Sequence, residues 1–175
     1  MKVAFLDRDG VINKEIGYLH QISDFEYTEK CVEALSILGE EGFSIVIITN
    51  QAGIAKGHFT EKQYHKLTNW YIDDLKNNSI SIMQVKYCPH HEQGVIPKYR
   101  IKCPCRKPSP GMIDQVLTEF DVDLKSSILV GDKLSDIVAG KSAGVGACYL
   151  VRSSETPRDC DAFDSLYSVA IAVAK

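Results

Sequence analysis

The sequence predicts an α/β fold, a Rossmann-like doubly wound parallel sheet with helices on both faces, from three observations. Short apolar segments typical of buried strands alternate with segments of helical periodicity, the pattern of a parallel sheet covered on both sides. Three of these strands end in polar residues. The 175 residues, 45% hydrophobic and 25% charged, have the composition of an ordinary globular protein, so we expect one domain over 1–175.

The first elements of the chain are a strand, a helix and a second strand. Residues 3–6 are a continuous apolar run, which predicts a buried strand. Residues 29–41 carry apolar side chains at helical spacing, and Gly42 follows as a C-terminal signal. Residues 43–48 are again apolar and predict the second strand, followed by a polar pair.

The next elements are a loop, a helix and a third strand. Residues 51–59 contain two glycines and predict a loop. Thr60 and Gln63 have the spacing of a capping box, which predicts a helix that runs to about Asn77. Residues 80–87 predict the third strand.

A segment without periodicity separates the third strand from the next helix. Residues 88–108 are rich in cysteine, histidine, proline and basic residues. Ser109 followed by Pro110 predicts a helix with serine as its cap and proline at its first position, ending near Phe120.

The last predicted elements are two strands that flank a short helix. Residues 127–130 predict the fourth strand and residues 146–151 the fifth. Ser135 and Asp136 predict caps for a helix that ends at Ala143.

Polar side chains follow three of the strands: Asp7 and Asp9, Thr49 and Asn50, and Asp132. On an extended backbone, Asp7 and Asp9 point in the same direction. The carboxyl ends of parallel strands meet at one edge of the sheet, where ligands bind. Converging carboxylates suit Mg²⁺, which binds through a few carboxylates and a substrate phosphate. The alternative is that Asp7 and Asp9 only form an acidic turn.

Lys107 adds a positive charge to this set of groups. It lies just before the helix predicted at Ser109, so it can approach the carboxylates. A cation site, an ammonium, a hydroxyl and a carboxylate nucleophile together indicate phosphoryl transfer. The sequence contains neither of the glycine-rich motifs, G-x-x-x-x-G-K-[ST] and G-x-G-x-x-G, that bind nucleotide phosphates.

The segment over about 88–105 predicts a structural zinc site. Cys88 with His90 or His91, and Cys103 with Cys105, form two close pairs of soft ligands, and four such ligands suit tetrahedral Zn²⁺. A loop of this length inside a domain needs something to order it. The remaining cysteines predict no site: Cys31, Cys148 and Cys160.

The ordered set of motifs resembles the haloacid dehalogenase (HAD) superfamily of phosphatases. It consists of Asp7-Arg8-Asp9-Gly10, Thr49-Asn50, Lys107 and Gly131-Asp132-Lys133-Leu134-Ser135-Asp136. The resemblance implies that Asp7 attacks phosphorus and that Asp9 serves as acid and then base. It also implies that Thr49 and Lys107 hold the phosphoryl group, and that Asp7, Asp132 and the Asp9 carbonyl bind Mg²⁺. No large cap domain is expected.

Finer features resemble the D-glycero-D-manno-heptose-1,7-bisphosphate 7-phosphatase family within that superfamily. They are the segment 50–57, the cysteine-rich loop and Cys105-Arg106-Lys107-Pro108. The resemblance implies removal of the 7-phosphate during synthesis of heptose precursors for lipopolysaccharide or surface polysaccharide, and favours His90 as the zinc ligand. Histidinol-phosphate phosphatase remains the alternative. The implied substrate contacts are Arg8, Glu15, Ile16, Gly17, Tyr18, Asn50, Gln51, Ala52, Arg106 and Lys133.

The net charge and the distribution of apolar residues argue against other classes of protein. A net charge of −3 argues against nucleic-acid binding, and no apolar run is long enough to cross a membrane. We expect a cytoplasmic monomer that acts on a small molecule. A phospho-signalling receiver domain would carry an aspartate at the end of its third strand, where this chain has Tyr87-Cys88. A zinc-organised binding module would leave the acidic motifs without a role.

Overall fold

The computed structural model describes residues 1–151 and 161–174. These residues form six strands: β1 Val3–Leu6, β2 Ser44–Asn50, β3 Ile82–Cys88, β4 Ile128–Gly131, β5 Ala147–Val151 and β6 Asp161–Phe163. They also form six α-helices: α1 Cys31–Glu40, α2 Ala52–Ala55, α3 Glu61–Asn77, α4 Gly111–Glu119, α5 Leu134–Ala143 and α6 Leu166–Val173. Cys160, for which the sequence predicts no site, lies outside the described residues.

The six strands form one parallel sheet in the order β3-β2-β1-β4-β5-β6. β1 is central: its Ala4 pairs with Ile45 of β2 on one side and with Ile128 of β4 on the other. The chain winds outward in both directions from β1, so the strand order reverses between β1 and β4. In such sheets the ligand crevice lies beyond the carboxyl ends of the strands at this reversal.

Helices cover both faces of the sheet, and alternate residues of β1 define the two faces. Ala4 and Leu6 lie in the cluster formed with α1, α3 and α6, while Val3 and Phe5 lie in the cluster formed with α4 and α5. All four of these β1 side chains are fully buried. Because β1 is packed on both faces, the loop that follows it is held rigidly.

The capping box predicted at the start of α3 is present. The Thr60 side chain accepts a hydrogen bond from the Gln63 backbone N–H, and the Gln63 side chain accepts one from the Thr60 backbone N–H. The segment 51–59, predicted as a loop, instead contains the short helix α2. This single turn begins immediately after β2, at the edge where the polar strand ends meet.

The start of α4 differs from the prediction. Ser109 does not cap the helix, and Pro110 occupies the cap position without a side-chain hydrogen bond. Backbone hydrogen bonds fix this start instead: Gly111 N–H donates to the Pro104 carbonyl at 3.1 Å, and Ser109 N–H to the Arg106 carbonyl at 2.9 Å. A Cβ on Gly111 would lie 2.3 Å from the Pro104 oxygen, so α4 begins in close contact with the cysteine-rich loop.

The C-terminal strand and helix have no counterpart in the sequence prediction. β6 adds a sixth parallel strand beside β5, and Ser165 caps α6 by accepting a hydrogen bond from Ser168 N–H at 3.2 Å. α6 packs its apolar face against α1. None of the helices in the described part of the chain has the length and apolar character needed to cross a membrane.

Candidate active site

A cavity of about 460 Å³ opens at the carboxyl edge of the sheet. It lies where the strand order reverses, and the polar residues that follow β1 and β2 line it. Residues from the turn before α4 and from the start of α5 complete its wall. The predicted residues that line it are Asp7, Asp9, Glu15, Gly17, Tyr18, Thr49, Asn50, Gln51, Ala52, Arg106, Lys107 and Lys133.

Lys107 is the buried centre of this site. Its Nζ atom lies 2.7 Å from Asp7 Oδ1 and 2.6 Å from Asp136 Oδ1, and it donates to the Ile48 carbonyl at 2.8 Å. Burial disfavours the charge of Lys107, but the charges of Asp7 and Asp136 outweigh burial and raise the pKa of the ammonium. Lys107 is therefore a permanent cation beside Asp7.

Asn50 places Lys107 through its backbone. The Asn50 side-chain amide donates to the Lys107 carbonyl at 3.0 Å and accepts from the Lys107 N–H at 3.1 Å. This reciprocal pair joins the end of β2 to the turn before α4. The Asn50 side chain, predicted as a substrate contact, thus also anchors the segment that carries the lysine.

Asp136 is a member of this site whose contact with Lys107 the sequence analysis missed. The sequence predicts it as a helix cap and as the last residue of the Gly131–Asp136 motif, and its Oδ2 does accept a hydrogen bond from Lys133 N–H at 3.0 Å. Its other oxygen reaches Lys107, and the residue is 1% exposed. The signal was present in the sequence, because the Gly131-Asp132-x-x-x-Asp136 spacing places this carboxylate in the first turn of α5.

Three carboxylates, from Asp7, Asp132 and Asp136, have oxygen atoms within 4.8 Å of one another. Lys107 contacts Asp7 and Asp136, and Lys133 Nζ lies 3.9 Å from Asp132 Oδ2, so three carboxylates face two ammonium groups. Burial, opposed by Lys107 and aided by the charges of Asp136 and Asp9, raises the pKa of Asp7 to about 8. Burial likewise raises the pKa of Asp132 to about 6, although Lys133 opposes this.

These residues fit a divalent cation. Asp132 Oδ1 is buried and has no hydrogen-bond partner among the residues the structure describes. Gly10, at φ +88°, lets Asp132 approach closely, because a Cβ there would lie 2.4 Å from Asp132 Oδ2. Hard, crowded and partly unpartnered oxygen atoms are what Mg²⁺ requires of its ligands.

Asp9 is held by a separate set of donors. Arg8 donates to it through Nη2 at 2.8 Å and Nε at 3.2 Å, Asn13 at 3.0 Å and Gln51 at 3.0 Å. Burial favours the neutral acid, but the charge of Arg8 and these hydrogen bonds outweigh burial and lower the pKa of Asp9. The same Gln51 amide donates to Thr49 Oγ1 at 2.8 Å, which fixes that hydroxyl beside the cavity.

Arg8 and Ile16 are predicted substrate contacts that the cavity does not include. Arg8 is 1% exposed and lies beneath the cavity, where its guanidinium contacts Asp9 and the Leu19 carbonyl. Ile16 is 53% exposed and is not among the residues that line the cavity. The Arg8 Nε and Nη2 atoms donate to the Asp9 carboxylate and the Leu19 carbonyl in the core, so a substrate contact of Arg8 stays a prediction that this geometry does not favour for its side chain.

The loop over 15–18 crosses one side of the cavity and is attached at both ends. Glu15 accepts a hydrogen bond from Lys133 Nζ at 3.0 Å. The Tyr18 ring stacks on His58 with 3.9 Å between ring centroids, and the Tyr18 hydroxyl accepts from Lys56 Nζ at 3.1 Å. Lys133 lines the cavity, and Lys56 is connected to it through the lining residue Tyr18.

The cysteine-rich loop brings together the four residues predicted to bind zinc: Cys88, His90, Cys103 and Cys105. Their ligand atoms all lie within 4.8 Å of one another. His90 Nδ1 is 3.7 Å from Cys88 Sγ and 3.8 Å from Cys105 Sγ, close to the ~3.7 Å edge of a tetrahedral zinc site. His91 instead accepts a hydrogen bond from Gln93 N–H, so His90 is the histidine of this cluster.

The environment of this cluster shifts the pKa values of two of its thiols in opposite directions. A hydrogen bond from Cys105 lowers the pKa of Cys88 to about 6. Burial opposes this shift, and hydrogen bonds from His90 contribute to it. The neighbouring Cys88 and burial raise the pKa of Cys105. One thiolate among crowded soft ligands is compatible with a zinc site.

The fold and the site together define a HAD-like hydrolase, as the sequence predicted. A family model described as HAD-hydrolase-like matches residues 104–168. The crystal structure of D,D-heptose 1,7-bisphosphate phosphatase from B. bronchiseptica, complexed with magnesium and phosphate, superimposes with a TM-score of 0.86. That match is 27% identical in sequence and covers 99% of this chain and 98% of the other.

Two curated relatives narrow the class. The D-glycero-alpha-D-manno-heptose-1,7-bisphosphate 7-phosphatase of Photorhabdus laumondii is 56% identical over 153 residues, which are 87% of this chain and 84% of that protein. The D-glycero-beta-D-manno-heptose-1,7-bisphosphate 7-phosphatase of Escherichia coli is 43% identical over 162 residues, which are 91% and 85% of the two chains. The chain belongs to the heptose-1,7-bisphosphate 7-phosphatase family of HAD-like hydrolases.

Proposed function

We propose that this protein is a Mg²⁺-dependent phosphatase that removes the 7-phosphate from D-glycero-D-manno-heptose 1,7-bisphosphate. The observation that carries the proposal is the buried contact of Lys107 with Asp7 at the carboxyl end of β1. It sets a carboxylate nucleophile beside a cation that reduces its repulsion from a phosphate dianion. We take the substrate from the names of the relatives, because the sequence identity of 56% to one of them extends over most of both chains.

The proposed reaction has two steps at phosphorus. Asp7 forms a bond to the phosphorus atom while the bond to the sugar oxygen breaks, and Asp9 gives that oxygen a proton. Asp9 then takes a proton from water, which attacks the same phosphorus atom and releases Asp7 and inorganic phosphate. Lys107 and Thr49 stabilise the oxygen atoms of the transferred group.

Asp9 needs a proton for the first step, and its environment in the free protein favours the carboxylate. An incoming phosphate dianion adds negative charge beside Asp9, and a like charge raises the pKa of an acid. We therefore infer that Asp9 takes up its proton when the substrate binds, because the charge of the phosphate raises the pKa of Asp9. Asp7, Asp132 and the Asp9 carbonyl would hold Mg²⁺, which neutralises charge on the phosphoryl oxygens when it is bound.

We also propose that Zn²⁺ occupies the site of Cys88, His90, Cys103 and Cys105 as a structural ion. Support comes from the four converging ligands, which close a tetrahedral site and leave no position for substrate. Arg106 and Lys107 follow Cys105 directly, so the metal would fix the direction of both cations. Elemental analysis is expected to find about one zinc per chain, and its absence from protein purified without chelator would contradict the assignment.

The test of the main proposal compares substrates and variants. Phosphate release is measured with both anomers of heptose 1,7-bisphosphate and with histidinol phosphate, in the presence of Mg²⁺. The wild type is expected to prefer a heptose bisphosphate, and Asp7→Asn to lose activity, because the amide is a poor nucleophile. Asp73→Asn makes the same change on the exposed side of α3 and is the matched control.

Two results would contradict the proposal. Faster turnover of histidinol phosphate would overturn the substrate and leave the chemistry intact. Full activity of Asp7→Asn, with a folded protein by thermal melting, would overturn the aspartyl-phosphate route.

We further infer that the chain acts as a single-domain monomer in the cytoplasm, in the synthesis of heptose precursors for surface polysaccharide. Among the described residues, Cys31, Cys88, Cys103 and Cys105 are free thiols, which is compatible with a reducing compartment. Sedimentation at several protein concentrations tests the monomer, and a mass increase with concentration would contradict it.

A further inference from the structure

One wall of the active-site cavity is held by side chains and not by backbone hydrogen bonds. Glu15, Gly17 and Tyr18 line the cavity. Within residues 1–151 and 161–174, no backbone group of residues 15–18 forms a hydrogen bond to another backbone group. The position of this segment, which we call the cavity loop, therefore depends on the contacts of its side chains.

The backbone of the cavity loop is strained at its C-terminal end. Gly17 has φ +71° and Tyr18 has φ +48°. A tyrosine in the left-handed region is disfavoured, because its Cβ approaches the backbone too closely. The next residue, Leu19, is buried and anchors the chain, but the Tyr18 side chain is 43% exposed, so the core does not hold it. Contacts at the surface must therefore keep Tyr18 in this conformation.

The main contact of the Tyr18 ring is its stack on His58, with 3.9 Å between ring centroids and 18° between ring planes. The backbone of His58 is firmly placed, because its N–H donates to the Gly53 carbonyl at 2.9 Å. The next residue, Phe59, is buried against Gly53, where a Cβ would lie 2.2 Å from the Phe59 ring. His58 itself is exposed and is not among the residues that line the cavity. It therefore acts on the site through Tyr18.

A second pair of rings extends this contact. His20 stacks on Phe59, with 5.3 Å between ring centroids and 9° between ring planes. His20 Nδ1 also donates to the Tyr18 carbonyl at 2.8 Å. Because Phe59 is buried, the His20 pair fixes the end of the cavity loop, and the His58 stack fixes the ring of the lining residue Tyr18.

We propose that His58 is a positioning residue for substrate binding: its ring holds Tyr18, and with it the cavity loop, where the sugar of the substrate binds. The inference rests on the proposed function, since it concerns how that substrate is bound. The chemical step takes place at Asp7, away from the loop, so His58 contributes to binding and not to the rate of that step. This role requires a planar ring, because stacking depends on the face of the ring.

The test measures kcat and KM for heptose 1,7-bisphosphate. His58→Ala is expected to raise KM roughly 2- to 10-fold, the range for loss of one aromatic pair, with kcat unchanged. His58→Phe keeps a planar ring and should retain the wild-type KM. His58→Gln keeps a polar side chain without a ring and should resemble His58→Ala. His65→Ala, which removes an exposed histidine of α3 that does not line the cavity, is the matched control.

A second measurement reports on the cavity loop without substrate. A protease specific for glutamate cleaves the bond between Glu15 and Ile16, which are both exposed. Mass spectrometry follows the product of this cleavage in the full chain. His58→Ala and His58→Gln should accelerate it severalfold, because the loop loses its support, whereas His58→Phe and His65→Ala should leave its rate unchanged.

The outcomes separate this inference from the proposed function. If His58→Ala leaves either KM or the cleavage rate unchanged, or if His65→Ala changes them equally, the role of His58 is overturned and the phosphatase activity stands. If His58→Gln retains the wild-type KM while His58→Phe does not, a polar contact replaces the stack and the proposal is also overturned. If the wild type hydrolyses no heptose phosphate, the proposed function fails and the role of His58 in substrate binding fails with it.

Discussion

Replacing Lys107 by methionine tests how the site balances its charges. Lys107 is 4% exposed, and its ammonium contacts Asp7 at 2.7 Å and Asp136 at 2.6 Å. Methionine fills much of the same volume but leaves two buried carboxylates without their cation. Removal of one partner of a buried ion pair costs about 3–5 kcal/mol. We expect Lys107→Met to lower the free energy of unfolding by about that amount at pH 8 without added Mg²⁺.

The cost should depend on pH and on metal. At pH 5 the Asp7 carboxylate can take up a proton, because burial already raises the pKa of Asp7, so the destabilisation should be smaller. Added Mg²⁺ should restore part of the stability by replacing the lost positive charge. The activity of Lys107→Met should fall about 10²–10³-fold, as for loss of one donor to a developing oxyanion.

Urea unfolding followed by fluorescence measures the effect. Trp70 is the single tryptophan, and it packs edge-on against Phe25 in the core, with 5.3 Å between ring centroids. Lys66→Met, on the exposed surface of α3, is the control for loss of a lysine. The reasoning is refuted if Lys107→Met costs no more than Lys66→Met, or if its cost is the same at pH 5 and pH 8.

Four further predictions concern the metals, one glycine and one cap. Removal of zinc by a chelator, followed by addition of Mg²⁺ alone, should leave phosphatase activity and the thermal midpoint reduced; full activity of the zinc-free protein would contradict the structural role. Burial raises the pKa of Asp7 from 3.8 to about 8, so Asp7 loses its proton at a lower pH in the unfolded chain than in the folded protein. The free energy of unfolding without Mg²⁺ should therefore fall as the pH rises from 4 to 8. Added Mg²⁺ should therefore stabilise the protein more at pH 8 than at pH 5, and equal shifts of the melting temperature would disprove this. Gly10→Ala should raise the Mg²⁺ concentration needed for half-maximal activity, because its Cβ would lie 2.4 Å from Asp132 Oδ2; an unchanged Mg²⁺ titration would speak against the site. Thr60→Ala should lower the free energy of unfolding by about 1 kcal/mol in urea titrations, since it removes the acceptor for Gln63 N–H, whereas no loss would show that the cap contributes nothing.

The strands β1, β2, β4 and β5 were predictable because each contains a continuous apolar run, and a parallel sheet buried on both faces requires such runs. β1 agrees with its predicted bounds, Val3–Leu6. β6 is three residues long and exposed at Asp161 and Ala162, so it carries no such signal. α6 was missed for a different reason: its residues are almost uniformly apolar, and a tail without polar spacing shows no helical period.

The start of α4 shows where local rules fail. Serine before proline is a good cap signal by spacing alone. The helix begins later because the chain turns back to bond the Pro104 carbonyl, a contact set by the cysteine-rich loop. Tertiary contacts of this kind cannot be inferred from a short window of sequence.

The sequence predicted which residues form the site, but it did not predict which of their side chains contact one another. Asp7 and Thr49 gather at the sheet edge because the ends of parallel strands meet there, and Lys107 reaches them from the turn before α4. The side on which Arg8 lies was not predictable, because a residue between two aspartates in a turn is free to point either way. Its guanidinium turns into the core toward Tyr64 and Tyr71, whose hydroxyls are buried beside it.

The anchoring of Asp9 limits which partner moves during the reaction. Four donor atoms from Arg8, Asn13 and Gln51 hold its carboxylate, and a swing toward substrate would strand the Arg8 guanidinium in the core without its counter-ion. A stranded buried charge costs several kcal/mol, which is a steep barrier for a side-chain rotation. The Asp9 carboxylate therefore keeps its position during the reaction. The substrate must bind so that its sugar oxygen lies within hydrogen-bond distance of Asp9. The alignment of the sugar oxygen with Asp9 then depends on how the part of the substrate distant from the reacting phosphate binds at the rim of the cavity.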